Sequence, residues 1–151
     1  MLNFITKSFS ELTTTELYAI LQLRSQVFVV EQNCIYQDLD NKDQKALHIF
    51  AFKNDIMIAY ARIFKPNDYF EKASIGRVVV VASERKFGYG HQLVKASMTA
   101  IKNNFKVGDI TISAQVYLKK LYESLDFIQV GEEYLEDGIP HIRMDRNIKN
   151  K

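Results

Sequence analysis

The amino-acid sequence predicts an α/β domain in which a central sheet is covered by helices on its faces. Three observations carry this. Strand-like and helix-like hydrophobic periods alternate along the chain. The Val78-Val79-Val80-Val81 run is apolar on both faces, as a strand in the middle of a sheet must be. Two later segments carry apolar stripes of helical period. A length of 151 residues fits a single domain over 1–151, given roughly 100 to 200 residues per domain. With 47% hydrophobic and 25% charged residues, the chain can bury one sizeable core, which excludes disorder as its main state.

Residues 3–8 alternate weakly and predict a first strand. Thr13-Thr14-Thr15-Glu16 offers an N-cap to a helix whose apolar positions are Leu17, Ile20, Leu21, Leu23, Val27 and Phe28. Residues 31–44 are polar and irregular, a loop anchored by Cys34, Ile35, Tyr36 and Leu39. Residues 47–52 and 56–64 form a hairpin around the turn formers Asn54 and Asp55. After a second turn at 65–71, residues 75–82 form the most apolar strand. A helix follows from Tyr89 to Phe105, with Gly108 beyond its end as a breaker. Residues 109–114 read as a strand, 117–125 as a short helix, and 127–130 and 141–148 as two last strands, the turn Glu136-Asp137-Gly138 lying between them.

Charge and composition exclude several functions. Twenty basic against eighteen acidic side chains leave +2, too little for a broad nucleic-acid or membrane footprint. The lone Cys34 forms no internal disulfide and has no evident Cys-His partnership, so it reads as a packed thiol. His48, His91 and His141 lack metal-ligand spacing, and no metal is expected. With no secretory signal and no apolar run near the roughly 18 residues of a membrane span, a cytoplasmic location is expected.

The sharpest local feature is the passage from the valine strand through Arg85-Lys86-Phe87-Gly88-Tyr89-Gly90 into a helix. Strand, glycine turn and helix N-terminus gather unpaired N–H groups and the positive end of a helix dipole, which suits a phosphate. The alternative is an ordinary tight turn with solvated basic residues. The segment lacks the order of a P-loop, and no dinucleotide-binding glycine pattern follows an early strand.

Arg85-x-x-Gly88-x-Gly90 after a valine strand resembles the pyrophosphate signature of the GCN5-related N-acetyltransferases, and the order of elements is similar over nearly the whole chain. Leu23-Arg24-x-x-Val27-Phe28-Val29-Val30-Glu31-Gln32-Asn33-Cys34, Tyr36-Gln37-Asp38-x-Asp40, Ile75-Gly76-Arg77-Val78 and Gly131-Glu132-x-Tyr134-x-Glu136-Asp137-Gly138-Ile139-Pro140-His141 resemble its ElaA-like branch. The resemblance implies a three-layer fold with a mixed sheet of six to seven strands and helices on both faces. It implies acetyl-CoA as donor. Val78, Val79 and Val80 would then present backbone groups to the pantetheine arm. Lys86, Phe87, Gly88, Tyr89, Gly90 and His91 would bind the pyrophosphate, with Arg85 shaping the loop.

Tyr122, in Leu121-Tyr122-Glu123-Ser124-Leu125-Asp126-Phe127, resembles the family's tyrosine that protonates the departing CoA thiolate. From periodicity alone it reads as core, beside Leu118, Leu121 and Leu125. Two departures stand out: Asp126 replaces the usual glycine before phenylalanine, and Lys86 follows the signature arginine where glycine is frequent.

A base must deprotonate the acceptor amine, and Glu31, Asp38, Asp40, His48 and His141 are candidates, with Glu31 and His48 taken as the catalytic pair of choices. Each also has a structural reading as a loop brace or strand-edge residue. Arg24, Phe28, Tyr36, Asp38 and Asp40 match ElaA-like positions and are expected on the acceptor side. There an acidic lining would favour a cationic amine. The implied activity is acetyl transfer from acetyl-CoA to a primary amine of a small molecule or peptide through a ternary complex. A homodimer is left open. The rival is a catalytically silent acyl-CoA-binding or interaction module on the same fold.

Overall fold

The structure, a computed structural model, describes residues 1–148. Helix α1 (Thr14–Arg24) begins at a capping box. The Thr13 side chain accepts from the Glu16 N–H, and the Glu16 carboxylate accepts from the Thr13 N–H. Two donors that a first turn would leave orphaned are thus satisfied. The expected helix end at Phe28 is reached in another form. Ser25–Glu31 continues as a wider π-helix, a local insertion often found at functional sites, and it buries Val27 and Phe28.

Seven strands form one sheet: β1 (Ile5–Ser8), β2 (Leu47–Lys53), β3 (Ile56–Phe64), β4 (Ala73–Val80), β5 (Ile110–Gln115), β6 (Ile128–Glu136) and β7 (Ile139–Arg146). Their spatial order is β1-β2-β3-β4-β5-β7-β6. Only β4 and β5 run parallel among the registered pairs, so the sheet is mixed. The valine strand is its middle member, as its two-sided apolarity requires.

Strand alternation sorts the side chains into two layers. Ile49, Ala59, Ala61 and Ile63 face helix α2 (Tyr89–Phe105) through Leu93, Val94 and Ile101. Phe50, Tyr60 and Val79 face α1 and the π-helix that continues it, through Ile20, Leu23, Val27 and Phe28. Helices therefore cover both faces. Each such buried aliphatic or aromatic side chain contributes about 1.5 to 3 kcal/mol relative to exposure.

Several boundaries differ from the expectation. The valine strand runs over Ala73–Val80, ending two residues early. The short helix starts as a 3₁₀ turn, Val116–Leu118, before α3 (Lys119–Glu123). The last two strands are one long hairpin that turns at Asp137-Gly138. Residues 131–136 hide their strand character because β6 is the outermost strand and nearly all its residues are exposed, so no apolar alternation is needed there. A register shift between Val130 and Tyr134 further interrupts the period.

Asp126 occupies the left-handed region at φ +70, so an aspartate makes the turn that glycine commonly makes. The turn is closed by the Phe127 N–H donating to the Tyr122 carbonyl at 3.1 Å. Asp126→Ala is expected to cost about 1 kcal/mol in urea denaturation through the left-handed backbone, whereas Asp126→Gly costs nothing measurable. Equal destabilisation by both would contradict this origin.

Candidate active site

β4 and β5 pair only at Ala73↔Ile110 and Ser74↔Thr111. Beyond that point β4 stays with β3 as far as Val80, while β5 stays with β7 as far as Gln115↔His141. The seam opens between them. A cleft enters it, lined by Leu118 and Tyr122 from the α2 side and by Ser74, Ser113 and His141 from the α1 side. Strand alternation explains the sorting, since Ile75, Ile112 and Ile142 next to them pack in the α2 layer.

The edge of β4 along this seam is irregular. Tyr60↔Val79 and Arg62↔Gly76 leave one extra residue on β4, and Arg77 takes φ +51. Such a bulge re-aims backbone groups and side chains. The Val81 N–H donates to the Ile58 carbonyl at 2.9 Å, so alternation turns the backbone groups of Val80 toward the open side. There the Val80 carbonyl accepts from Arg85 Nε at 2.9 Å.

The glycine turn completes this side. Ala82–Phe87 is a 3₁₀ turn, and Gly88 at φ +75 starts α2 with no side-chain cap. A Cβ there would meet nothing within 4 Å, so the approach to the first-turn N–H groups is open. This arrangement fits an anionic oxygen group. Arg85 grips the Glu31 carboxylate through both terminal nitrogens at 2.6 and 3.0 Å, tying the π-helix to the end of β4. Lys86 lies over Phe87, and Lys53 over both Phe87 and Tyr89.

The acceptor-side residues form a different object from the acidic lining expected of them. Arg24, fully buried, donates from Nε to Asp38 at 2.8 Å and from Nη1 to Asp43 at 2.7 Å. Arg62 binds Asp40 and Asp43, the latter at 2.8 Å, and Arg77 binds Asp38 at 2.7 Å. Tyr36 donates to Asp38 at 2.9 Å. Three arginines thus meet three aspartates and pin the loop to α1, β3 and β4. Burial would raise the Asp40 carboxyl, but the hydrogen bond and charge of Arg62 outweigh it and hold it well below the usual range. Burial likewise pushes the Asp43 carboxyl up, and the hydrogen bonds and charges of Arg24 and Arg62 outweigh it and hold it below the usual value. Asp38 and Asp40 are therefore braces whose charges are already matched. Neither they nor Arg24 line the cleft, while Phe28 and Tyr36 do.

The structure does not bring the two chosen bases to the cleft. His48 is fully buried. A carbonyl only accepts, so His48 Nε2–H donates to the Asp43 carbonyl at 2.9 Å, and Nδ1 accepts from the Tyr60 hydroxyl at 2.6 Å. Both ring nitrogens are used, and burial pushes the imidazole downward. Glu31 is held by Arg85 outside the cleft lining. His141 does line the cleft. Its Nδ1–H donates to the Ile139 carbonyl at 2.7 Å, and its Nε2 lies 3.3 Å from Glu136 Oε2. Tyr134 stacks on the ring and shares a hydrogen bond with Ser113. Glu136 was missed because its position in a turn-like acidic sequence hides that β6 and β7 bring it beside His141. Cys34, expected to be packed, is half-buried at the cleft and donates to the Asp137 carbonyl at 3.2 Å.

Tyr122 lines the same cleft from the opposite side, 3% exposed, with its ring edge-on to Phe127. Burial raises its phenol far above the ordinary value. Among the described residues no group of three or more His, Cys, Asp or Glu side chains could hold a metal ion. No described helix is long and apolar enough to cross a membrane.

Comparison with known proteins gives a consistent picture. The family described as acetyltransferase (GNAT) domain matches residues 11–148. Protein ElaA of Escherichia coli is 45% identical over 141 residues, 92% of each chain. The crystal structure of Escherichia coli ElaA superposes with a TM-score of 0.90 at 43% identity, covering 97% of this chain and all of that one. An acyl-CoA N-acyltransferase from Pseudomonas aeruginosa superposes at 0.91 with 40% identity and the same coverage.

The pinned loop carries a pH signature. His48, Asp40 and Asp43 all have folded values below their unfolded ones, so each adds stability above its unfolded value and loses it as pH falls. Urea midpoints should decline from about pH 6.5 downward through His48, then more steeply below about pH 4 through the aspartates. His48→Gln should flatten the upper phase; an unchanged profile in that variant would contradict the assignment.

Proposed function

The chain belongs to the GNAT acetyltransferase family, and from that premise we propose that it transfers the acetyl group of acetyl-CoA to a primary amine by direct attack in a ternary complex. One observation carries the reading: the cleft crosses the sheet where β4 and β5 part. A donor lying along the α2 side and an acceptor entering from the α1 side then meet through the sheet, with no acyl-enzyme required.

When bound, acetyl-CoA supplies an activated thioester. Val78, Val79 and Val80 would hold its pantetheine arm along the open edge of β4, and Lys86 to His91 its pyrophosphate at the uncapped start of α2. Arg85 is a positioning residue, since its contacts go to Val80 and Glu31. Burial keeps the Tyr122 phenol protonated through the neutral range, so Tyr122 donates a hydrogen bond, and then its proton, toward the departing sulfur. On the other side His141 Nε2 receives the amine proton. The Glu136 carboxylate beside the ring stabilises the imidazolium so formed. Phe28 and Tyr36 form an apolar wall for the acceptor, held by the arginine–aspartate braces behind it.

Release of free CoA thiol, measured with acetyl-CoA and a panel of primary amines, tests this. Tyr122→Phe is expected to lower kcat by about 100-fold while acetyl-CoA affinity is retained. Acetyl-CoA binding without amine-dependent release by the wild type would favour a silent binding module instead.

A further inference from the structure

Three buried side-chain polar atoms have no hydrogen-bond partner among the described residues: Arg62 Nε, Ser74 Oγ and Arg143 Nε. They converge. Arg62 and Ser74 are 1% and 2% exposed, and both line the cleft on the α1 side of the sheet. Arg143 lies on the same face, as its neighbours Ile142 and Met144 pack in the opposite layer. It reaches back along β5 to donate to Thr111 at 2.9 Å, and Thr111 is the residue level with Ser74. Its guanidinium covers Phe70, another cleft residue, at 4.2 Å. Gly76 keeps the way clear, for even a Cβ there would stop 4.0 Å from Arg62 Nε.

All three can donate. A buried donor left unpaired costs free energy that a folded protein ordinarily avoids, so a cluster of them marks a place completed from outside. The charge balance sharpens this. Arg24, Arg62 and Arg77 are matched by Asp38, Asp40 and Asp43, whereas Arg143 has no carboxylate within ion-pair distance among the described residues. The root of the cleft therefore carries the Arg62 N–H and the Ser74 O–H, and the Arg143 guanidinium lies beside it over Phe70, outside the lining, with Asp145 reached only through Thr111. The other end of the cleft carries Glu136 beside His141, a place for an ammonium group. The strand register sets the ends two to four residues apart, since Ser113 pairs with Arg143 and Gln115 with His141, while Thr111 is level with Ser74. At 3.3 Å per residue that is about 7 to 13 Å.

We propose that the acceptor is an amino carboxylate whose carboxylate docks on Ser74, Arg62 and Arg143 and whose amine, several atoms away, lies at His141 and Glu136. The proposal rests on the acetyl-transfer reading for the amine end; the carboxylate end stands on the orphaned donors alone. Both carboxylate oxygens find donors, and the charged hydrogen bonds give the root of the cleft its selectivity. A neutral amide would bind with poorer acceptor strength, and an alkylamine would leave the donors unpaired again.

The test is calorimetric binding to the full chain, with CoA present at saturation. The probes are straight-chain ω-amino carboxylates of increasing length, their carboxamides and the matching alkylamines. One or more of the amino carboxylates should bind about tenfold or more tightly than its amide and alkylamine. Ser74→Ala and Arg143→Gln should each shrink that preference, with urea midpoints checking that the variants fold. Equal binding of the three classes, as a cleft root holding only water would give, overturns the proposal. So does no binding at any length, or a preference that both folded variants retain. Preference for carboxylates without release of CoA thiol would instead overturn the transfer reading and leave the carboxylate site standing.

Discussion

Two neighbouring strands that pair for only two residues set the terms for the rest of this molecule. An open seam in the middle of a sheet exposes backbone donors and acceptors whose burial without partners is costly. The chain meets that cost locally. The β4 bulge at Arg77 breaks the edge pattern, Arg85 caps the Val80 carbonyl, and α2 begins where the valine strand ends. What is left open is a passage with Tyr122 on one side and His141 on the other. Chemistry across a sheet is possible only because the sheet is incomplete there.

The arginine–aspartate braces make the α1 side of the cleft firm. A loop as polar as residues 31–44 gains little from hydrophobic burial, so its position depends on charge pairing with Arg24, Arg62 and Arg77. Removing one partner from such a buried set is far more damaging than the set is stabilising, because it strands an unmatched charge. The same network serves the cleft indirectly. It fixes Tyr36 and Arg62, and it spends the terminal guanidinium donors of Arg62 on Asp40 and Asp43 while leaving Nε without a partner among the described residues.

Much of the fold is legible in the sequence because its signals are local. The Thr13–Glu16 capping box, the valine run and the α2 stripe each report their own structure without reference to distant residues. The GNAT signature at Arg85, Gly88 and Gly90 falls at the start of α2, where the glycine turn is found. Long-range pairing is what the sequence conceals. Asp38 and Asp40 look like a free acidic lining until three arginines from separate elements close on them. His48 looks like a strand-edge histidine until Tyr60 and Asp43 take both of its nitrogens. Glu136 gains its place beside His141 only through the β6–β7 register, and an exposed edge strand leaves little hydrophobic pattern to reveal that register.

The central claim is that the opened edge of β4 and the uncapped start of α2 receive the donor. Amide hydrogen exchange with and without acetyl-CoA tests it most directly, since it reads the backbone groups concerned and needs no acceptor. Protection gained at residues 78–80 and 88–92, with β1 and β2 unchanged, is the result this account predicts. Protection confined to other segments, or none at saturating acetyl-CoA, would contradict it.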